Sequence, residues 1–268
     1  MYFPDWRNID VPEGAVTAQT MLMDVELKML YSLARDYYGG WGQIVDAGCF
    51  LGGSTQALAR GVMDNYRFRQ NPRQPVIHSY DLYIVEPWTI GIYFDEGTPL
   101  GTSFEDIYRR NIAEFAPLVE VNGGDVTKRT WNKDTPIEIL FIDLAKHWTV
   151  SDYVVRNFFG ALVPGHSIVI QQDYLYHTCT GWLPVTMEHF AEYFELVDYT
   201  FRNSVAFKYI KEIPAEMLQE DVIQSMTISE IQAYSNQAIA RFEEDQAGVV
   251  RQSTDEFIAE VRNLGWPE

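Results

Sequence analysis

Eleven residues, Val45 to Thr55, carry the plainest chemical signal in the chain: Val-Asp-Ala-Gly-Cys-Phe-Leu-Gly-Gly-Ser-Thr. Asp46 closes an apolar run. Glycines at 48 and 52 let the backbone turn sharply and approach a ligand with no Cβ in the way. A helix expected from Ser54 aims free backbone N–H groups at that turn. The spacing is Gly-x-x-x-Gly-Gly. It is not the Gly-x-Gly-x-x-Gly of dinucleotide sites, and it is not a phosphate loop, because no Gly-Lys-Ser/Thr follows. Such a turn suits a nucleoside with a small charged tail. Other candidates stand at the ends of two later apolar runs: Asp143 and His147 after the first, Gln172, Asp173 and His177 after the second. Carboxylate and imidazole can move protons there, and imidazole titrates near neutrality. Cys49 reads as a packed residue of the turn.

These residues need strands that end together and helices that return the chain. Apolar positions at helical spacing predict a helix from about Thr20 to Tyr38, ended by Gly39, Gly40 and Gly42. Strands are then expected at 43–47, 76–81, 118–122, 137–143 and 167–171, with helices at 54–65, 104–115, 151–162 and 186–193 between or after them. Arg67, Arg69 and Arg73 fall in what reads as a loop. Two further strands, 194–201 and 204–211, are joined by Arg202-Asn203, which implies an antiparallel hairpin. Alternating strands and helices imply crossover units and a mostly parallel sheet covered on both faces. Its ligand belongs at the carboxyl ends of the strands. The fold expected is α/β and doubly wound: a mostly parallel seven-stranded sheet, a C-terminal antiparallel hairpin and a helical C-terminal appendage. Three parts are expected: a helical lead at 1–40, a Rossmann-like domain at 41–212 and an acidic helical extension at 213–268.

Segment 82–103 is long for a strand-to-helix connection. It places Tyr83, Trp88, Tyr93 and Phe94 among Pro87, Gly91, Gly97 and Gly101, as in an aromatic lid over a cleft. Packing of this loop on the N-terminal helix is the plainer alternative. Trp182 could line the same pocket. In the extension, Thr227-Ile-Ser-Glu230 and Ser253-Thr-Asp-Glu256 both read as capping boxes, and three helices are expected there. With eleven acidic and three basic residues, this tail reads as a solvated or homo-oligomer-forming appendage rather than a catalytic part.

Composition narrows the function. The 268 residues are 47% hydrophobic, enough for a large core, and carry a net charge of −18, which repels phosphate backbones. No nucleic-acid partner is expected. With no apolar run of membrane-spanning length and no basic-then-apolar start, the expectation is a cytoplasmic protein with no membrane partner. Two cysteines, Cys49 and Cys179, build neither a disulfide framework nor a multi-thiolate metal site.

Over residues 40–211 the chain resembles the class I S-adenosylmethionine-dependent methyltransferases. Asp46 to Ser54 is similar to the family's first motif, a strand ending in an acid and then Gly-x-x-x-Gly. Asp81 in His78-Ser-Tyr-Asp81, Gly124-Asp125-Val126, Asp143 in Phe141-Ile-Asp143, and the stretch around Pro164-Gly165 follow in the family's order. The resemblance implies S-adenosylmethionine as cofactor. Asp46, Gly48, Phe50, Gly52 and Ser54 would contact it at the turn, Asp81 at the ribose hydroxyls, Asp125 and Val126 at adenine, and Asp143 near the methyl donor. The layout looks most like the metal-dependent small-molecule O-methyltransferases, including those acting on macrolide sugars. It implies Asp143, Gln172 and Asp173 as ligands of a magnesium ion that acidifies an acceptor hydroxyl. The Gln172-Asp173 pair departs from the family's Asp-Asp or Asp-Asn, since an amide oxygen brings no charge. Without a metal, His147 or His177 becomes the base, with Asp143 as the third catalytic candidate. The acceptor expected is a small hydroxylated molecule, a sugar or secondary metabolite. A DNA amino-methyltransferase is disfavoured, because Asp-Leu-Ala-Lys stands where that class has Asn/Asp-Pro-Pro-aromatic. The alternatives are a binding or assembly protein that keeps the fold without transfer, and another enzyme on the same fold.

Overall fold

Short β-branched runs make the strands of this chain, and glycine turns release the helices that follow them. The computed structural model describes residues 2–72, 74–176, 180–219 and 221–268. Its seven-stranded sheet has the order β3-β2-β1-β4-β5-β7-β6. The chain divides into two compact units, Met1–Lys128 and Arg129–Glu268.

In the first unit, β1 (Gln43–Ala47), β2 (Ile77–Asp81) and β3 (Val119–Gly123) are parallel. The register sets Asp46 opposite Ser79 and Asp81 opposite Gly123. Ile44, Val45, Ala47 and Ile77 are fully buried, as central parallel strands require. Helix α1 (Asp24–Ser32) starts four residues later than the periodicity implied, where Glu26 accepts a hydrogen bond from the Met23 amide and fixes the start. It runs into a π-turn, Leu33–Tyr37. Helix α2 (Gly53–Asp64) crosses α1 closely, since a Cβ on Gly61 would lie 2.4 Å from the Tyr31 carbonyl. Asn65 caps a short helix α3 (Tyr66–Gln70), so Arg67 and Arg69 lie on a helix rather than in a loop, and Arg73 is outside the described residues. Helix α4 (Glu105–Asn111) is shorter than the expected 104–115 and gives way to a 3-10 stretch carrying Pro117.

In the second unit, β4 (Ile137–Ile142) and β5 (Ile168–Leu175) are parallel, while β7 (Asn203–Tyr209) runs antiparallel to β5 and to β6 (Phe194–Tyr199). The hairpin expected at Arg202-Asn203 forms, with Asn203 in the left-handed region at φ 83°. Helix α5 (Trp148–Phe158) starts three residues before the expected Ser151, and α6 (Trp182–His189) starts four before Thr186. The extension holds α7 (Ile228–Ile239) and α8 (Glu244–Asn263) after a 3-10 turn, Ala215–Leu218. Thr227 and Glu230 form the expected capping box. Ser253 instead lies inside α8, fully buried, because a Cβ on Gly181 would stand 2.5 Å from its carbonyl and the two segments are pressed together. Ile228, Ile231, Val250, Phe257 and Val261 are buried within this unit. The acidic tail is therefore part of the unit's core, with its charges on the outer faces.

Among the described residues no helix is long and apolar enough to cross a membrane.

Candidate functional site

In the first unit the turn after β1 takes the conformation its glycines permit. Gly48 and Gly52 sit at φ 105° and 104°, and Phe50 between them at φ 45°. At Gly52 a Cβ would also press on Ile112, 3.0 Å away. Asp46 has no exposed surface. Its Oδ2 accepts hydrogen bonds from the hydroxyls of Ser54 (3.0 Å) and Thr55 (2.5 Å), in the first turn of α2. Its Oδ1 is buried and accepts no hydrogen bond in this structure. Burial raises its pKa to about 6; the two hydroxyls oppose that shift, and the charge of Asp81 adds to it.

Asp81 closes β2 and ties the turn to it. Its Oδ2 accepts from the Phe50 amide and its Oδ1 from the Tyr83 amide, each at 2.8 Å. Each oxygen keeps a lone pair for a ligand hydroxyl. Burial pushes its carboxyl above the usual range, against those backbone bonds. Asp125 accepts from the backbone and hydroxyl of Thr127 and so holds its own turn, with Val126 buried beside it. Segment 82–103 folds onto the turn: Phe50 has ring contacts with Trp88 (6.0 Å), Tyr93 (4.9 Å) and Phe94 (6.4 Å). Cys49 is buried 3.0 Å from the Tyr83 hydroxyl, and burial together with the charges of Asp81 and Asp46 pushes its thiol up, as suits a packed residue.

Sequence reasoning missed Gln56 and Thr20. The Gln56 side-chain oxygen accepts from the amides of Thr17 (2.8 Å) and Ala18 (2.9 Å), and its nitrogen donates to the Asn111 carbonyl. Thr20 stands where a Gly53 Cβ would be, 2.5 Å away. The segment before α1 is thereby strapped across the start of α2. The second adjacent glycine, Gly53, was the available signal.

In the second unit the residues expected to hold a metal enclose a lysine. The Lys146 ammonium lies 2.5 Å from Asp143 Oδ1, 3.0 Å from Gln172 Oε1 and 2.6 Å from Asp173 Oδ2. Desolvation lowers its pKa, but Asp143 and Asp173 outweigh it and hold the group above its ordinary value. Strand β5 runs four residues beyond the expected end at 171, and its pairing with β7 shifts between Gln171 and Leu175. Asp173 sits in that bulge at φ 61°. Successive strand residues normally point to opposite faces; a bulge re-aims them. Here it turns Gln172 and Asp173 to one nitrogen. The left-handed backbone of a non-glycine residue costs about 1–2 kcal/mol, least for Asp and Asn.

This arrangement corrects the magnesium expectation. Three oxygens already meet three ammonium hydrogens, so Asp143, Gln172 and Asp173 do not fit a divalent ion while Lys146 is in place. His147 is the N-cap of α5: its Nδ1 accepts from the Thr149 amide and lies 2.8 Å from the Thr149 hydroxyl. This capping role occupies Nδ1 of the residue expected as a base. The ring stacks on Trp148 at 3.9 Å. His177 and Cys179 lie outside the described residues. Trp182 is buried and donates to the Ala145 carbonyl, so it holds the loop after β4.

A mostly parallel seven-stranded sheet with a C-terminal antiparallel hairpin is the fold the sequence led us to expect. The fold is doubly wound α/β, with a mostly parallel seven-stranded sheet. No protein-family model and no curated protein matches the chain. Solved structures similar to it include CalS11, a calicheamicin methyltransferase, at 16% identity and TM-score 0.47 over 69% of this chain and 77% of that one. A putative RNA methyltransferase from Pyrococcus horikoshii is similar at 12% identity and TM-score 0.43, over 75% and 91%. NcsB1, an O-methyltransferase from neocarzinostatin biosynthesis solved with S-adenosyl-L-homocysteine, follows at 12% and 0.41, over 69% and 55%. At these identities and TM-scores, the case for activity rests on the chain's own residues. In the first unit the Asp46 turn, Asp81 and Asp125-Val126 stand at the carboxyl ends of β1, β2 and β3, and in the second unit the Lys146 cage stands at those of β4 and β5.

Proposed function

We propose that this protein transfers a methyl group from S-adenosylmethionine to a hydroxyl of a small acceptor. One observation carries the reading. Two carboxylates near strand ends, the fully buried Asp46 and the half-buried Asp81, are joined through the glycine turn by the Phe50 amide, and Asp46 keeps a buried oxygen with no hydrogen bond. A cofactor with a vicinal diol and a cationic amino acid tail suits that pair: Asp81 takes the hydroxyls with its spare lone pairs and Asp46 balances the amine. When bound, S-adenosylmethionine supplies a methyl group on a positively charged sulfur. Phe50 and Trp88 supply aromatic faces near the turn that suit a planar base or a sugar.

In the second unit, Asp143 and Asp173 are the proton acceptors for an acceptor hydroxyl, and Lys146 sets where they point. The net charge of −18 favours a small acceptor over a nucleic acid. Titration of the full chain with S-adenosylhomocysteine tests the reading. Binding in about the micromolar range is expected, weakened by about 1.5–3 kcal/mol in Asp81→Ala, which loses the ribose contacts. Unchanged affinity in that variant overturns the cofactor assignment. No binding at millimolar ligand favours an assembly protein on the same fold.

A further inference from the structure

We propose that Lys146 is the resident cation of the cage formed by Asp143, Gln172 and Asp173, so that an ammonium group occupies the place a divalent ion would otherwise take. The inference takes its description of the cage as the acceptor end from the proposed function. The cation occupancy itself stands on the geometry alone.

Three observations converge. The ammonium has three hydrogens, and the cage offers three oxygens at 2.5, 3.0 and 2.6 Å, so donors and acceptors match one to one. The charges match as well. A divalent ion draws on several anionic ligands, whereas a single ammonium is over-balanced by two carboxylates, so a neutral Gln at 172 suits lysine better than a third acid would. The backbone is also bent toward this one nitrogen. The bulge in β5 and the left-handed Asp173 bring two consecutive strand residues to it, which a regular strand cannot do.

The lysine is tethered three residues from Asp143 and its side chain is 52% exposed. A metal entering the cage would have to displace a covalently held cation present at high effective concentration. With the ammonium in place, the carboxylates keep their direction toward the acceptor, and the acceptor hydroxyl meets two carboxylates sharing one positive charge. Lys146 is accordingly a positioning residue.

Manganese binding to the full chain, read by electron paramagnetic resonance, tests this directly. The wild type is expected to leave the metal free up to millimolar concentration. Lys146→Ala combined with Gln172→Asp removes the cation and adds the missing charge. It is expected to bind manganese at least tenfold more tightly than the wild type, and Asp173→Asn on top should abolish the gain. Sub-millimolar binding by the wild type that Asp173→Asn removes overturns the proposal. So does a folded double variant, checked by circular dichroism, that gains no metal affinity. S-adenosylhomocysteine affinity is measured in parallel: its loss counts against the proposed function, while the manganese signal reads the cage alone.

Discussion

Asp46 and Asp173 are both carboxylates near the carboxyl end of a buried strand, one in each unit, yet they are held by different means. Asp46 is sealed and met by two neutral hydroxyls, so burial dominates and its pKa rises to about 6. Asp173 is partly exposed, with 17% of its side chain accessible, and is met by a full positive charge. The first arrangement makes the protonation state of the acid responsive to pH and to a cationic ligand. The second supplies the counter-charge from the chain itself. A strand end of one fold can therefore be prepared to receive charge or already be supplied with it.

The largest break in this comparison should come from the turn's backbone. Gly52→Val places a β-branched side chain at φ 104° and against Ile112. A loss of roughly 3–5 kcal/mol in urea denaturation is expected, with no counterpart at the cage. Next comes the pH dependence of Asp46. Its folded value, about 6, lies above the usual 3.8, so the native state holds the proton more tightly than the unfolded chain. Stability should then fall by about 2 kcal/mol as pH rises from 4 to 6. Asp46→Asn should flatten that slope in denaturation curves at several pH values; an unchanged slope would show that another group carries it. The smallest effect belongs to Lys146→Ala. This half-exposed ion pair should cost about 1 kcal/mol, less in molar salt, as the two carboxylates left behind repel each other.

Much of the first unit's site was legible in the linear chain. Gly48 and Gly52 announced positive φ, and both have it; Asp46 and Asp81 fell at the ends of apolar runs, and Asp81 closes β2 while Asp46 lies one residue before the end of β1. The second unit was harder to read. The run that ends at Gln171 in hydrophobicity continues as strand to Leu175, because pairing with β7 supplies hydrogen bonds that no local pattern reveals. Ser253 carried the spacing of a helix start, but burial against Gly181 kept the helix running through it.

What the sequence by itself determined are the features set by neighbours along the chain: strand and helix types, glycine conformations, strand-end acids and the closing hairpin. Periodicity and backbone sterics act over a few residues, so they can be read there. Only the tertiary structure decided that Lys146, 27 residues before Asp173, stands among the residues taken for metal ligands. It likewise decided that Gln56, 39 residues after Thr17, straps the N-terminal segment to the turn. These pairings are chosen by which distant side chains packing brings within hydrogen-bond reach. A buried polar group must find a partner wherever the fold supplies one.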